Sequence, residues 1–285
     1  MTTTVKTKPM NKTTLQKQED GTIKLTITIP IGDIKKVQAT ILADYAKNAK
    51  VDGFRKGKAP KSLIEGKIDN EKVKEEVLKE LLPQTYSQAV QDNNIKPIIN
   101  PKIHIGKIDD DKDWEYEALT CEMPDLDLGA YKENIKKITA KSKIIIPGQE
   151  QKKPENAEIV KAILESVKTK IPGILIEQEA DRLLSQLLND IKKLGLNLDQ
   201  YLASTNRTPE NLRQEYAKRA QEDMTLEFAL QKIAETEKIT IGQKEIDEAI
   251  QKAKDDNERK SLESNRYLLA AILRQQKTLD FLLNL

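Results

Sequence analysis

Apolar and polar residues alternate strictly over residues 22–29, where every second position is Ile or Leu and the others are Thr or Lys. From Ile34 the spacing becomes helical, with an apolar residue every three or four positions as far as Tyr45. A period of two predicts a strand with one buried face, and a period near 3.6 predicts an amphipathic helix. We therefore expect a strand that Pro30 ends, followed by a helix that stops before Val51.

The same patterns predict the other elements of the first half of the chain. A helix is expected over about 70–93, and Pro83 should kink it or split it. Strands are expected over 98–108 and 114–123, and a last extended piece over 135–146. This mixture predicts an α+β domain that has a small antiparallel sheet with helices.

A polar segment with two prolines, a glycine and several charges, residues 147–156, predicts a linker. Beyond it nearly every segment has a helical period. The predicted helices lie at about 157–170, 174–194, 198–204, 209–236, 243–254 and 256–284. The second half is therefore expected to be an elongated all-α domain.

These elements divide the chain into four parts. Residues 1–12 are polar and are expected to be flexible, and residues 13–146 form the α+β domain. Residues 147–156 form the linker, and residues 157–285 form the all-α domain.

The composition argues against several classes of protein. Cys121 is the only cysteine, so it has no intrachain disulfide partner and cannot build a Cys-based zinc site. The sequence has no run of about 20 apolar residues that would span a membrane. It also does not begin with the apolar core of a secretory signal. We therefore expect a cytoplasmic protein without a membrane partner.

The charges are balanced overall but unevenly placed. With 48 basic and 46 acidic residues, the net charge of +2 predicts no general affinity for nucleic acid. Residues 1–60, however, hold 12 Lys or Arg against 5 Asp or Glu. Within them, residues 53–60 read Gly-Phe-Arg-Lys-Gly-Lys-Ala-Pro, which predicts a loop that presents three cations. Taken alone, this segment is slightly better explained as a solvated basic turn between helices than as a docking loop.

The sequence predicts no catalytic or metal site. His104, the only histidine, has no ligand at a suitable spacing and no nucleophile placed for it. Cys121 lies in a predicted strand and is expected to be a buried structural thiol. Residues 109–113 are rich in Asp but lack the spacing of a calcium loop, so we expect a solvated hairpin turn. Because no phosphate-cradling glycine loop occurs, no nucleotide or other cofactor is expected.

Residues 53–60 resemble the ribosome-binding signature of the trigger factor family, G-F-R-x-G-x-x-P. Further likenesses to the family lie in Leu82–Tyr86, Trp114–Tyr131, Leu198–Leu202 and Leu279–Leu283. The resemblance implies a ribosome-binding site made by Gly53, Phe54, Arg55, Lys56, Gly57, Lys58 and Pro60.

The resemblance also implies a fold and a function. The all-α domain would form helical arms that shelter apolar segments of the emerging chain. The partners would be the ribosome, through an exit-tunnel protein and nearby rRNA, and nascent or unfolded polypeptides. Free copies would form a homodimer.

The middle of the chain departs from the family. Full-length members carry an FKBP-type prolyl isomerase domain, of roughly a hundred residues, between the two resembling parts. Here only residues 139–156 join those parts, which cannot hold such a domain. We therefore expect a chaperone that is not an enzyme.

Several apolar residues of the second half are candidates for client binding, because the helices that carry them are apolar on more than one side. They are Leu226, Phe228, Ile272 and Leu273. For most such residues, helix-on-helix packing is the simpler explanation.

Three other functions remain open. A holdase or assembly chaperone that works away from the ribosome would bind ribosomes weakly. A prolyl isomerase is disfavoured by the missing domain. A plain RNA-binding module is disfavoured by the near-neutral charge and by the 4% aromatic content, which offers few rings for base stacking.

Overall fold

The computed structural model describes residues 12–48, 69–106, 108–142 and 155–285. The chain divides into two compact units, Met1–Met123 and Pro124–Leu285. This division differs from the predicted one, which placed the boundary at the linker. The difference arises from residues 124–142, whose contacts lie in the second unit.

The first unit is built on a four-stranded antiparallel sheet with the order β1-β2-β4-β3. Its strands are β1 Lys12–Lys17, β2 Thr22–Ile29, β3 Lys102–Ile105 and β4 Trp114–Cys121. The alternation over 22–29 predicts β2 correctly, and its four Ile and Leu side chains are all at most 2% exposed. The predicted strand over 98–108 is shorter in the structure, and the apolar pattern did not predict β1.

In the described part of the first unit, two helices complete the core, α1 Ile31–Asn48 and α2 Asn70–Asp92. They pack on each other, and α2 also packs on β2. Helix α2 runs through Pro83 without a break, so a split there is wrong. Pro83 and Lys79, whose carbonyl loses its helical donor, are both exposed, and water can serve that carbonyl.

The second unit is mostly helical. Its helices are α3 Tyr131–Ser142, α4 Asn156–Ser166, α5 Gly173–Lys193, α6 Leu198–Thr205, α7 Pro209–Thr236, α8 Gln243–Gln251, α9 Asp256–Ser264 and α10 Arg266–Leu283. A two-residue antiparallel pair joins β5 Leu126–Asp127 to β6 Lys168–Thr169. The predicted single helix over 256–284 is wrong, because Asn265 ends α9 and begins α10.

Helix α3 corrects the prediction of an extended piece over 135–146 as far as residue 142, and residues 143–146 lie outside the described residues. Tyr131 and Ile135 are one helical turn apart and are 5% and 0% exposed. They pack with Ile159 and Ile163 of α4 and with Ile233 of α7. The tertiary contact of this buried stripe therefore decides the structure of the segment.

Two smaller apolar clusters extend from this core. One lies between α5 and α7, around Leu183 and Ala220. The other lies between α8 and α10, around Ile246, Ile250 and Leu269. Helix α10 therefore joins two clusters, because Leu282 in its last turn belongs to the main core.

Candidate client-binding surface

The predicted ribosome-binding residues lie outside the part of the chain that the structure describes. They are Gly53, Phe54, Arg55, Lys56, Gly57, Lys58 and Pro60. The helices that flank them in sequence, α1 and α2, pack together. The Tyr45 hydroxyl of α1 donates a hydrogen bond to Glu76 of α2, at 2.5 Å.

The four predicted client-binding residues do not share one environment. Leu226 is half-buried against the main core of the second unit, and Phe228 is also half-buried. Leu273 is half-buried against the cluster between α8 and α10. Only Ile272 is exposed, at 51% of its surface. The other three therefore offer less free surface than Ile272 in this conformation.

An exposed apolar surface surrounds Ile272 on α10. Tyr267 is 92% exposed, Leu268 is 60% exposed, and Ala271 is also exposed. Tyr267 and Ala271 are four residues apart, as are Leu268 and Ile272, so all four lie on one side of the helix. We call Tyr267, Leu268, Ala271 and Ile272 the α10 stripe.

The opposite side of α10 explains why the sequence predicts this surface only in part. Leu269 and Leu273 face the cluster with α8. All seven residues from Tyr267 to Leu273 are uncharged and largely apolar, so periodicity cannot distinguish the packed side from the exposed side.

A second group of exposed apolar residues lies at the end of α5. Leu188, Leu194 and Leu196 are 45%, 76% and 41% exposed. Gly195, with a φ of +75°, makes the turn between the last two. The apolar pattern alone did not predict this exposed group. Its signal is a pair of leucines on either side of a turn glycine, where polar residues are usual.

Ion pairs lie beside the α10 stripe but not within it. Arg266 at the start of α10 pairs with Asp247 of α8. Further along α10, Lys277 pairs with Glu245 at 2.7 Å and holds the pKa of that carboxyl below its usual value. The stripe therefore offers an apolar surface with charged residues at its edge.

The structure gives no sign of a catalytic or metal-binding role for His104, Cys121 or the Asp-rich turn at residues 109–113. His104 is exposed in β3, and Cys121 is buried in β4, where burial raises the thiol pKa to about 11. In the Asp-rich turn, Asp109 pairs with Lys112 at 2.9 Å. Among the described residues, no group of three or more His, Cys, Asp and Glu side chains is placed to hold a metal ion. Within the same ranges no helix is long and apolar enough for a membrane span.

Comparison with protein families gives a clear result. A family model described as "Bacterial trigger factor protein (TF)" matches residues 10–145. A second, described as "Bacterial trigger factor protein (TF) C-terminus", matches residues 128–284, more than half of the chain. The chain belongs to the trigger factor family. The prediction of this family is confirmed, and the two matches overlap at residues 128–145, so no stretch between them is left unmatched.

The similar curated proteins are trigger factors, and this chain matches only part of each. It is 37% identical to that of Corynebacterium aurimucosum over 107 residues, which covers 38% of this chain and 24% of the relative. It is 36% identical to that of Clostridium tetani over 124 residues, which covers 42% and 28%. The matched regions thus span about a quarter of the relatives' length.

One solved structure resembles the chain along nearly its whole length. It comes from a study of promiscuous substrate recognition in the folding and assembly activities of the trigger factor chaperone. The TM-score is 0.63 at 12% identity, and the alignment covers 96% of this chain and 99% of that one. The likeness confirms the fold class, an α+β part with a small antiparallel sheet followed by a mostly helical part.

Proposed function

We propose that this protein is an ATP-independent chaperone of the cytoplasm that docks at the ribosomal exit tunnel and shelters nascent polypeptides. The first unit carries the docking loop, residues 53–60, and the second unit holds the client. The protein has no prolyl isomerase activity in this proposal. Membership of the trigger factor family supports the chaperone class.

The α10 stripe is the observation that carries the client-binding part of the proposal. Tyr267, Leu268 and Ile272 expose more than half of their surface on one helix side. Burying apolar surface contributes about 25 cal/mol per Å², so a stripe of this size gives weak, reversible binding. Chaperones need such contacts, because their clients share no sequence.

A charge test separates binding by the stripe from a general effect of the protein. The double variant Leu268→Glu with Ile272→Glu places two charges in the stripe, so it should suppress aggregation of a denatured client less well than the parent. Light scattering, with and without ATP, measures this. The control is Ser261→Glu with Gln276→Glu, which adds the same charge at exposed polar positions. Equal suppression by both variants would remove the stripe from the proposal.

The sequence of the loop supports docking on the ribosome. Arg55, Lys56 and Lys58 present cations, and arginine binds phosphate through two hydrogen bonds and stacks on bases. Phe54 offers an apolar anchor for a ribosomal protein. Cations that face rRNA release counterions on binding, so affinity should fall as salt rises.

Co-sedimentation with ribosomes tests this docking. Changing Phe54, Arg55 and Lys56 together to Ala should abolish pelleting with ribosomes and leave the helical circular-dichroism signal unchanged. A triple variant that pellets like the parent would show that the docking site lies elsewhere.

The lack of isomerase activity has its own test. The two family matches run through residues 10–284 without room for an inserted domain of roughly a hundred residues. A proline-peptide assay should therefore show only uncatalysed cis/trans isomerisation, which takes on the order of tens to hundreds of seconds. Clear catalysis at stoichiometric protein would contradict the proposal.

A holdase or assembly chaperone that works away from the ribosome is the alternative. The α10 stripe serves this function equally well, because apolar binding does not require a ribosome. Full suppression of aggregation together with ribosome binding that is weak in the parent would favour it.

A further inference from the structure

The loop between α7 and α8, residues 237–242, is held by two cations of α10. Lys277 Nζ donates a hydrogen bond to the Thr240 carbonyl at 3.0 Å. One turn earlier, Arg274 Nε donates to the Ile239 carbonyl at 2.9 Å. The carbonyls of a short loop between helices have few other donors, so these contacts fix its path.

The same lysine also fixes the start of α8. Lys277 pairs with Glu245 at 2.7 Å, and Glu245 accepts a hydrogen bond from the Gly242 backbone N–H, also at 2.7 Å. That second bond caps the N-terminus of α8. A single side chain of α10 therefore touches both the loop and the cap of the next helix.

The far end of the loop is anchored separately. At Glu237 the carboxylate accepts a hydrogen bond from the Tyr131 hydroxyl at 2.8 Å and pairs with Lys132 at 2.7 Å. Both partners belong to α3, in the main core of the second unit. The α7 side of the loop is thus fixed to the core, and the α8 side depends on α10.

The α8–α9 hairpin has little apolar attachment of its own. Helix α8 buries Ile246 and Ile250, and α9, which the structure describes in full, buries no residue, although its Leu262 packs half-buried on the same cluster. The pair of Arg266 with Asp247 also joins α10 to α8. With Leu269 of α10, the three buried members of this cluster are 5–9% exposed. In the main core, the nine buried members that the structure describes are at most 6% exposed, and six of them are 0% exposed.

We propose that Arg274 and Lys277 form a latch that holds the α8–α9 hairpin against α10, and that the hairpin opens as a unit when the latch is released. The hinges are the loop, whose α7 end stays fixed to the core, and Asn265, which joins α9 directly to α10. Opening uncovers Ile246 and Ile250 on the hairpin and Leu269 and Leu273 on α10, and the last two add apolar surface beside the α10 stripe. The latch is a property of the fold and does not depend on the proposed client binding.

Hydrogen–deuterium exchange of the full-length chain tests the latch. In Lys277→Met, and separately in Arg274→Met, the amides of α8 and α9 should exchange about tenfold faster or more, because each variant removes hydrogen bonds made by a charged group. The amides of α4 and of the buried half of α7 should keep the parent rate. This internal comparison separates local opening from general destabilisation.

Two further variants complete the experiment. Lys218→Met removes the cation of an exposed pair within α7 and should change nothing in α8 or α9. Lys277→Arg keeps a cation at the latch and should exchange like the parent. Unchanged exchange of α8 and α9 in both Met variants would overturn the proposal. Equal acceleration of α4, α7 and the hairpin would also overturn it, because the two cations would then support the whole unit.

Discussion

Two glycines of the second unit adopt the left-handed conformation for different reasons. Gly129 has a φ of +54°, and a Cβ there would collide with the Ser166 carbonyl. Gly195 has a φ of +75° and nothing within 4 Å of the Cβ position. Gly129→Ala should therefore destabilise the second unit by about 2–4 kcal/mol, whereas Gly195→Ala should cost about 1 kcal/mol from backbone strain alone.

Urea unfolding of both variants, followed by circular dichroism, measures the difference. Equal losses for Gly129→Ala and Gly195→Ala would contradict the close approach of residue 129 to Ser166. The pair is matched, because each variant adds one methyl group at a left-handed glycine.

The single thiol reports opening of the first unit. Cys121 is 0% exposed, and its burial, with a smaller effect from Asp20, raises the pKa from 9.0 to about 11. At mildly alkaline pH a chromogenic thiol reagent should therefore react slowly in the native protein and at once in urea. Immediate stoichiometric reaction of the native protein would contradict this burial.

The sign of the pH effect follows from the same shift. Between pH 9 and about 11 the unfolded thiol ionises and the folded one does not. Cys121 therefore contributes stability below pH 9 that is lost as the pH rises through about 11.

At the residue scale, the sequence identified the buried face of the sheet but not the exposed face of α10. The alternation over 22–29 identifies the buried face directly, because Ile and Leu lie on one face of the strand and Thr and Lys lie on the opposite face. In α10, apolar residues occupy both sides. Leu269 rather than Leu268 is buried because α8 packs on its side of α10. The local sequence of α10 does not indicate where α8 will pack.

Among the elements, α5 and α7 were predicted close to their observed bounds, whereas α3 and the single helix over 256–284 were predicted wrongly. The start of α7 at Pro209 follows from Thr208, whose hydroxyl accepts a hydrogen bond from the Asn211 backbone N–H, and from proline at the first helical position. Residues 135–146 are rich in Ile and Lys, which gave an extended interpretation. The helix forms because Tyr131 and Ile135 find a partner surface on α4 and α7, a long-range contact.

This contact predicts which fragment of the second unit folds. Residues 124–285 should unfold cooperatively and hold a denatured client. Residues 157–285, which the sequence suggested as a complete domain, lack α3 and leave Ile159 and Ile163 uncovered, so they should be less stable and less cooperative.

Ile135→Ala provides the matched point variant in the longer fragment. Its side chain is 0% exposed, and its loss should cost about 2–5 kcal/mol. Urea unfolding measures both comparisons. Equal stability of the two fragments, or a negligible effect of Ile135→Ala, would show that α3 is not part of this core.

At the scale of the whole molecule, the fold class could be predicted from the order of alternating and helical segments. The division into compact units could not, because a polar segment does not mark where the cores end: Tyr131 and Ile135, which precede it, belong to the core of the second unit. Residues 128–145 are matched by both family models, which fits a segment that follows the sheet in sequence and packs with the helices.

The most direct test of docking and shelter together is a crosslinking measurement on stalled ribosomes that carry an unfolded nascent chain. A photoreactive amino acid at position 272, in the α10 stripe, should form an adduct with the nascent chain. The same group at Lys260, an exposed polar position on α9, should form far less. The adduct at 272 should disappear when Phe54, Arg55 and Lys56 are changed to Ala. An adduct that persists in the loop variant, or equal adducts at 260 and 272, would contradict the proposed mechanism.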